Sequence, residues 1–237
     1  MVLSRLDSDD RRKAIVNAAV PLFARNGFAG TTTRELAAAA GVSEALLFRH
    51  FPSKQSLYRE ILALGCEGDP ALEKLATLPA STETLAGIVR FMVRRFVLGS
   101  ECERREIDLK TRLMLHSYLE DGDYARELFA AIAPHVIPLF TASLESAEAA
   151  GDIVALPANR ANRFWFAHHV AAQMALAFLP QQGVVPYEGD VDRLIDDASD
   201  FILRGIGMTE AAIAASHAVP PLQLVVDQAA ADRAAAD

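Results

Sequence analysis

Residues Thr31 to Lys54, TTTRELAAAAGVSEALLFRHFPSK, confine this chain more than any other stretch. Their spacing predicts two short helices joined at Gly41. Thr32 caps the first, with Glu35 three residues later in capping-box position. Leu36 and then Ala39 or Ala40 repeat at helical spacing. Gly41 turns the chain at positive φ without steric cost. Val42 can plug the small core between the helices, and Ser43 is a good N-cap for the second. Pro52 restricts Phe51 to extended backbone and so keeps that helix short. Ser53 then restarts a helix at Lys54. This is the outline of a helix-turn-helix, whose second helix is shaped for the DNA major groove. An ordinary helical hairpin shares the Gly41 pattern, so the flanks must decide.

Upstream, Ile15, Ala18, Ala19, Leu22 and Phe23 fall on one face of a helix. Asn26-Gly27 ends it and Phe28 follows as an apolar plug. Pro21, which lacks an N–H, is expected to bend or loosen that helix around Asn17. Downstream, Leu57, Tyr58, Ile61 and Leu62 continue an apolar stripe.

In order, spacing and residue type, residues 11 to about 64 resemble the N-terminal domain of the TetR/AcrR family of transcriptional regulators. The matching elements are the Ala-rich first helix ending LFARNGF and then TTTRELAAAAGVSEALLFRHFPSKQSLYREI. The rest of the chain is similar to that family in length and helical pattern only. The resemblance implies roles. Thr33 starts the second helix facing a phosphate. Ser43, Glu44, Ala45 and Leu46 open the recognition helix, where relatives touch base edges. Phe48, Arg49 and His50 press on the DNA backbone, and Lys54 meets a phosphate. Leu46 and Phe48 depart from the Thr and Tyr common there, removing a polar base contact and a phosphate-bonding hydroxyl; plain packing is the alternative for both. Leu47 and Phe51 read as core.

The chemistry agrees. Helix N-termini offer free N–H groups to phosphates, and Arg and Lys supply the salt-dependent part of DNA binding. Glu44 can accept from cytosine N4, and Ala45 can touch a thymine methyl. Residues 1–60 hold nine Lys and Arg against six Asp and Glu, a balance of +3, which leaves −11 for the remainder of a chain at −8. That split fits one DNA-facing end and one solvated end, and argues against generic nucleic-acid coating. Arg11, Arg12 and Lys13 either grip flanking phosphates or solvate the helix start. A phosphate role is expected for Lys54, Arg49 and Arg34.

At 237 residues the chain can hold a small and a larger helical domain. No run of 18 uncharged apolar residues occurs, so no membrane partner is expected, and the charged N-terminus does not read as a signal peptide. Cys66 and Cys102 suit a reducing cytoplasm and ordinary thiols.

After the motif the period is helical. Helices are predicted over about Thr82–Gly99, Cys102–Leu119, Tyr124–Ala150, Ala158–Leu179 and Val191–Gly205. Pro134 and Pro138 are expected to kink the third of these. The last two are apolar over a broad arc and need more than one partner surface. Similarity to the family implies that they pair with their copies in a second subunit; burial inside a monomer is the alternative. A pocket is expected in the larger domain. Phe91, Phe140 and Trp165 would form its apolar wall, and Arg112, His116, His168, His169 and Gln173 its polar groups. In relatives such a cavity takes an inducer, although stripes of this kind also build plain core. His168 and His169 point about 100° apart on a helix. A buried histidine or a ligand partner suits them better than a metal site, for which no third donor is evident.

The expected architecture is all-α. A three-helix DNA-binding head occupies 8–55, a helical ligand-binding and dimerisation domain 56–215, and a flexible tail 216–237. The expected function is a ligand-responsive regulator, a cytoplasmic homodimer that represses at a palindromic double-stranded DNA operator and is released by a small, largely apolar effector. No cofactor, metal or catalytic residue is expected. The alternative is a helical enzyme or metal-dependent protein built on the His-bearing domain, for which no nucleophile–base motif or phosphate loop is found.

Overall fold

A computed structural model describes residues 8–64, 75, 77–98, 101–154, 159–180 and 182–218, without the side chains at 62–64 and 101–107. Ten helices and no strand occur among the described residues. They are α1 (Ser8–Gly30), α2 (Thr33–Ala39), α3 (Glu44–His50), α4 (Lys54–Leu64), α5 (Thr82–Val97), α6 (Glu101–Leu119), α7 (Asp123–Ala150), α8 (Arg160–Ala177), α9 (Val191–Gly205) and α10 (Glu210–Ser216). The five helices expected after the motif are present with ends shifted by a few residues, and α10 is an addition. Of the expected tail, residues 219–237 lie outside the described part, as do Cys66 and the Asp69-Pro70 break.

The chain divides into two compact units. The first is Met1–Glu67 with Asp108–Ala130; the second is Gly68–Ile107 with Ala131–Asp237. A cut at residue 55 does not follow this division, because the end of α6 and the start of α7 belong with the head. Leu113 of α6 and Tyr124 of α7 are buried with Ile15, Phe23, Leu36, Leu47, Phe51, Leu57 and Tyr58 in one core. Burial pushes the Tyr58 phenol up to about 12, with the carboxylates of Glu120, Asp121 and Asp123 adding to it.

The prolines do less than their chemistry suggests. α1 runs through Pro21, and its one non-helical residue is Gly27, at φ 72 and ψ 177. α7 runs unbroken past Pro134 and Pro138. The carbonyls that lose an N–H partner belong to Asn17, Ala130 and Pro134, all on exposed faces, where solvent replaces the bond. α7 alone is long and apolar enough to cross a membrane by length and composition. Its Val136, Phe140, Leu144 and Ala147 are instead buried in the core of the second unit.

That core is centred on α5, where Leu85, Val89 and Val93 are fully buried among Phe164 and Ala171 of α8 and Ile195, Ile202 and Leu203 of α9. Polar ties fasten its edges. Thr82 donates to Asp152 at 2.7 Å, Arg90 to Asp200 at 3.1 Å, and buried Arg163 to Glu148 at 3.2 Å. An antiparallel bridge joins Ile153 to Met208 just before α10.

Gly27 is the strictest position in the head. Its backbone angles lie in a region essentially reserved for glycine. A Cβ there would also stand 2.6 Å from Glu120 Oε1 and 2.8 Å from His116 Nδ1. Gly41, at φ 64, has open space around it. Gly27→Ala should therefore lower the urea unfolding free energy by at least roughly 1–3 kcal/mol, and by more than Gly41→Ala. Equal midpoints for the two variants would contradict this account.

Candidate nucleic-acid interface

Local hydrogen bonding builds the helix-turn-helix as its sequence suggests. The Glu35 N–H donates to Thr32 Oγ1 at 3.3 Å, and the Thr32 N–H donates to Glu35 Oε2 at 2.8 Å. This reciprocal cap fixes the start of α2 and holds the Glu35 carboxyl below its usual range. At the other end the Gly41 N–H donates to Ala38 and the Val42 N–H to Ala37. That pair of bonds satisfies the last carbonyls and reverses the chain. Ser43 then accepts from the Leu46 N–H at 3.2 Å and starts α3. Phe51, extended at φ −134 and ψ 101, ends it before Pro52.

α3 turns Leu47 into the core and leaves Ser43, Glu44, Ala45, Phe48 and Arg49 exposed, with Leu46 and His50 half-buried. Phe48 is 42% exposed, high for a phenyl ring with no surface role inside one chain. Thr33 Oγ1 donates to Glu44 Oε2 at 2.9 Å, so the two helix starts are tied across the turn. Arg34 and Arg49 are exposed and hold no hydrogen bond or ion pair among the described residues.

Lys54 is placed differently from a simple phosphate contact. Its Nζ donates to the carbonyls of Phe28 at 2.7 Å and Thr31 at 2.9 Å, and lies 4.2 Å from the centre of the Phe28 ring. Two of its three protons are thus used to fasten the chain between α1 and α2. Thr31, buried, donates to the Gly27 carbonyl at 2.7 Å in the same knot. Arg12 is also engaged within the head, through Glu60, and this pairing has no signal in the sequence because its members are 48 positions apart. The residues expected at an effector site divide between the units. Arg112 and His116 belong to the first. In the second, Phe91 and Phe140 are buried core. Trp165 and His168 join Phe96 and Phe164 in an aromatic cluster. His169 and Gln173 lie on the exposed side of α8, with His169 Nδ1 donating to the Trp165 carbonyl at 2.6 Å. No group of three potential metal ligands occurs among the described residues.

Charged hydrogen bonds of the Lys54 kind are worth roughly 1.5–3 kcal/mol each. Lys54→Met should therefore lower the melting temperature of the head by several degrees, where a pure phosphate contact would leave it unchanged. Thermal unfolding by circular dichroism separates the two; an unaltered melting temperature would remove the fastening role.

Comparison with known proteins follows the same division. Residues 15–61 match the family described as bacterial regulatory proteins, tetR family. The transcriptional repressor KstR2 of Rhodococcus jostii (strain RHA1) is 37% identical over 82 residues, which are 28% of this chain and 40% of that relative. The sequence likeness thus spans less than half of that repressor. Solved structures extend the likeness in fold. A tetR-family regulatory protein from Rhodococcus RHA1 superposes with a TM-score of 0.61 at 20% identity, over 84% of this chain and 98% of that one. AibR, solved with isovaleryl coenzyme A and operator DNA, gives 0.59 at 18% identity, over 84% and 100%. With the head matched in sequence and the helical order matched throughout, the chain belongs to the tetR family of bacterial regulatory proteins.

Proposed function

We propose that the chain is a transcriptional regulator that binds a two-fold double-stranded DNA operator as a homodimer in the cytoplasm, represses there, and is released by a small, largely apolar effector. The observation that carries this reading is the exposed outer face of α3, with Ser43, Glu44, Ala45, Phe48 and Arg49 open to a partner. A groove-entering helix needs such a face, and flanking cations at Arg34 and Arg49 suit phosphates. Thr33, His50 and Lys54 would support this surface from its edge, and Leu46 would fill its apolar part.

The dimer reading rests on the last long helices. Phe166 of α8 and Phe201 of α9 are 62% and 65% exposed, beside exposed Val170 and Val191. Apolar faces of this kind favour cover, and a second copy is the partner a two-fold operator asks for. The curated relatives are regulators rather than enzymes, and one is named a repressor. The effector reading draws on AibR, which was solved with an acyl coenzyme A, and on the cluster of Phe96, Phe164, Trp165 and His168. Phe91 and Phe140 line the core behind that cluster; His169, Gln173, Arg112 and His116 enter the site only if effector binding rearranges the chain. An effector that favours a form unable to hold DNA would release it.

A mobility shift against salt tests the DNA reading. Two chains should bind per operator, and Arg34→Ala and Arg49→Ala should each reduce the salt slope by about 0.9. Equal affinity for every duplex would refute sequence-specific regulation.

Burial, and secondarily neighbouring His169, pushes the His168 imidazole down from 6.5 to about 4. Between those values the unfolded chain binds the extra proton, so stability falls as the pH drops from about 6.5 towards 4. His168→Phe should flatten that part of the profile. Urea midpoints from pH 4.5 to 7 check this, and a variant with the full wild-type slope would show that His168 is not held neutral by the fold.

A further inference from the structure

Arg12 stands in the second turn of α1, yet its whole guanidinium is committed to the far side of the recognition helix. Nε and Nη2 donate to the two carboxylate oxygens of Glu60 in α4, each at 2.9 Å. Nη1 donates to the His50 carbonyl at 2.7 Å. The guanidinium carbon lies 4.3 Å from the centre of the Phe51 ring. One side chain thus holds a carbonyl at the C-terminal end of α3, the aromatic ring that ends α3, and a carboxylate on α4.

Each contact suits the group. The final carbonyls of a helix have no partner inside it, and a cation there also meets the negative end of the helix dipole. The planar fork of arginine matches a carboxylate in two parallel hydrogen bonds, which fixes orientation as well as distance. Its flat face can meanwhile lie over the ring. Lysine can supply the charge but not the three directions.

The consequence is angular. α3 has seven residues, so it is about 10 Å long. A tilt of about 10° at one end moves the other by about 2 Å. Hydrogen bonds to base edges do not survive such a displacement, whereas attraction to phosphates does.

We propose that Arg12 and Glu60 are positioning residues for sequence reading: they aim α3 and set specific affinity without touching DNA. This rests on the DNA-binding reading above and adds to it residues that sequence alone would have placed on flanking phosphates or in solvent.

The test uses the full chain, a duplex selected by the wild-type protein from a random library, and poly(dI-dC) as the non-specific duplex. Arg12→Gln, Arg12→Lys and Glu60→Gln should each weaken binding to the selected duplex by about tenfold or more, the scale of a lost base contact. Binding to poly(dI-dC) should change less than about twofold, and the salt slope should stay the same, because no phosphate contact is lost. The double variant Arg12→Gln with Glu60→Gln should be no worse than either single change. A phosphate role for Arg12 would instead weaken both duplexes and lower the slope by about 0.9 in Arg12→Gln, with Arg12→Lys nearly normal. That result, or unchanged affinity for the selected duplex, overturns the proposal. Arg12→Lys keeps the charge and guards against a variant that fails to fold. Hydrogen exchange of the amides from Leu47 to Phe51, measured without DNA, reads the clamp independently. Faster exchange in Arg12→Lys supports it, and unchanged exchange refutes it. A wild-type chain that selects no sequence would refute the DNA-binding reading, and faster exchange in that case would show that the clamp itself stands.

Discussion

The head of this protein depends on a chain reversal that only Gly27 permits. At φ 72 and ψ 177 the backbone leaves the helical path without a side chain to obstruct Glu120 and His116. Phe28 then lies over Phe23 and Tyr58, with ring centres 6.1 and 5.1 Å away. The carbonyls of Phe28 and Thr31 face Lys54, and Thr32 arrives where α2 must be capped. A side chain at residue 27 would displace all of these together, because every later contact in the head starts from the path taken there.

From that corner the reading helix is assembled by ends rather than by length. A helix as short as α3 has little propensity-driven stability, since nucleation costs more than a few bonds return. Its stability comes from Ser43 at one terminus, Arg12 and Phe51 at the other, and Leu47 pressed into the core between them. The outer face is thereby free of structural duty. This separation explains how Glu44, Ala45, Phe48 and Arg49 remain exposed on an otherwise well-anchored helix.

Cations in the head illustrate why a residue type does not reveal its use. Arg34, Arg49, Arg12 and Lys54 look alike as candidates for phosphate. Two stay in solvent, while Arg12 and Lys54 are drawn inward by carbonyls and a carboxylate. The same holds for the polar groups expected around an effector. His168 and His169 are adjacent, yet one is packed among aromatic rings and the other faces outward, since successive positions turn by about 100°. Arg112 and His116 fall in the first unit because α6 contributes its last part to the head.

The amino-acid order by itself determined the all-helical class, the caps of α2 and α3, the turn at Gly41 and the inward direction of Leu47. All of these arise from bonds and periodicities within a few residues. Tertiary structure decided that α1 passes Pro21 unbroken, that Asp108–Ala130 belongs with the head, and that Lys54 and Arg12 spend their donors internally. Those outcomes depend on which distant carbonyl, carboxylate or solvent-exposed face happens to stand beside each group. Such neighbours are brought together by burial of apolar surface, which carries no record of direction along the chain.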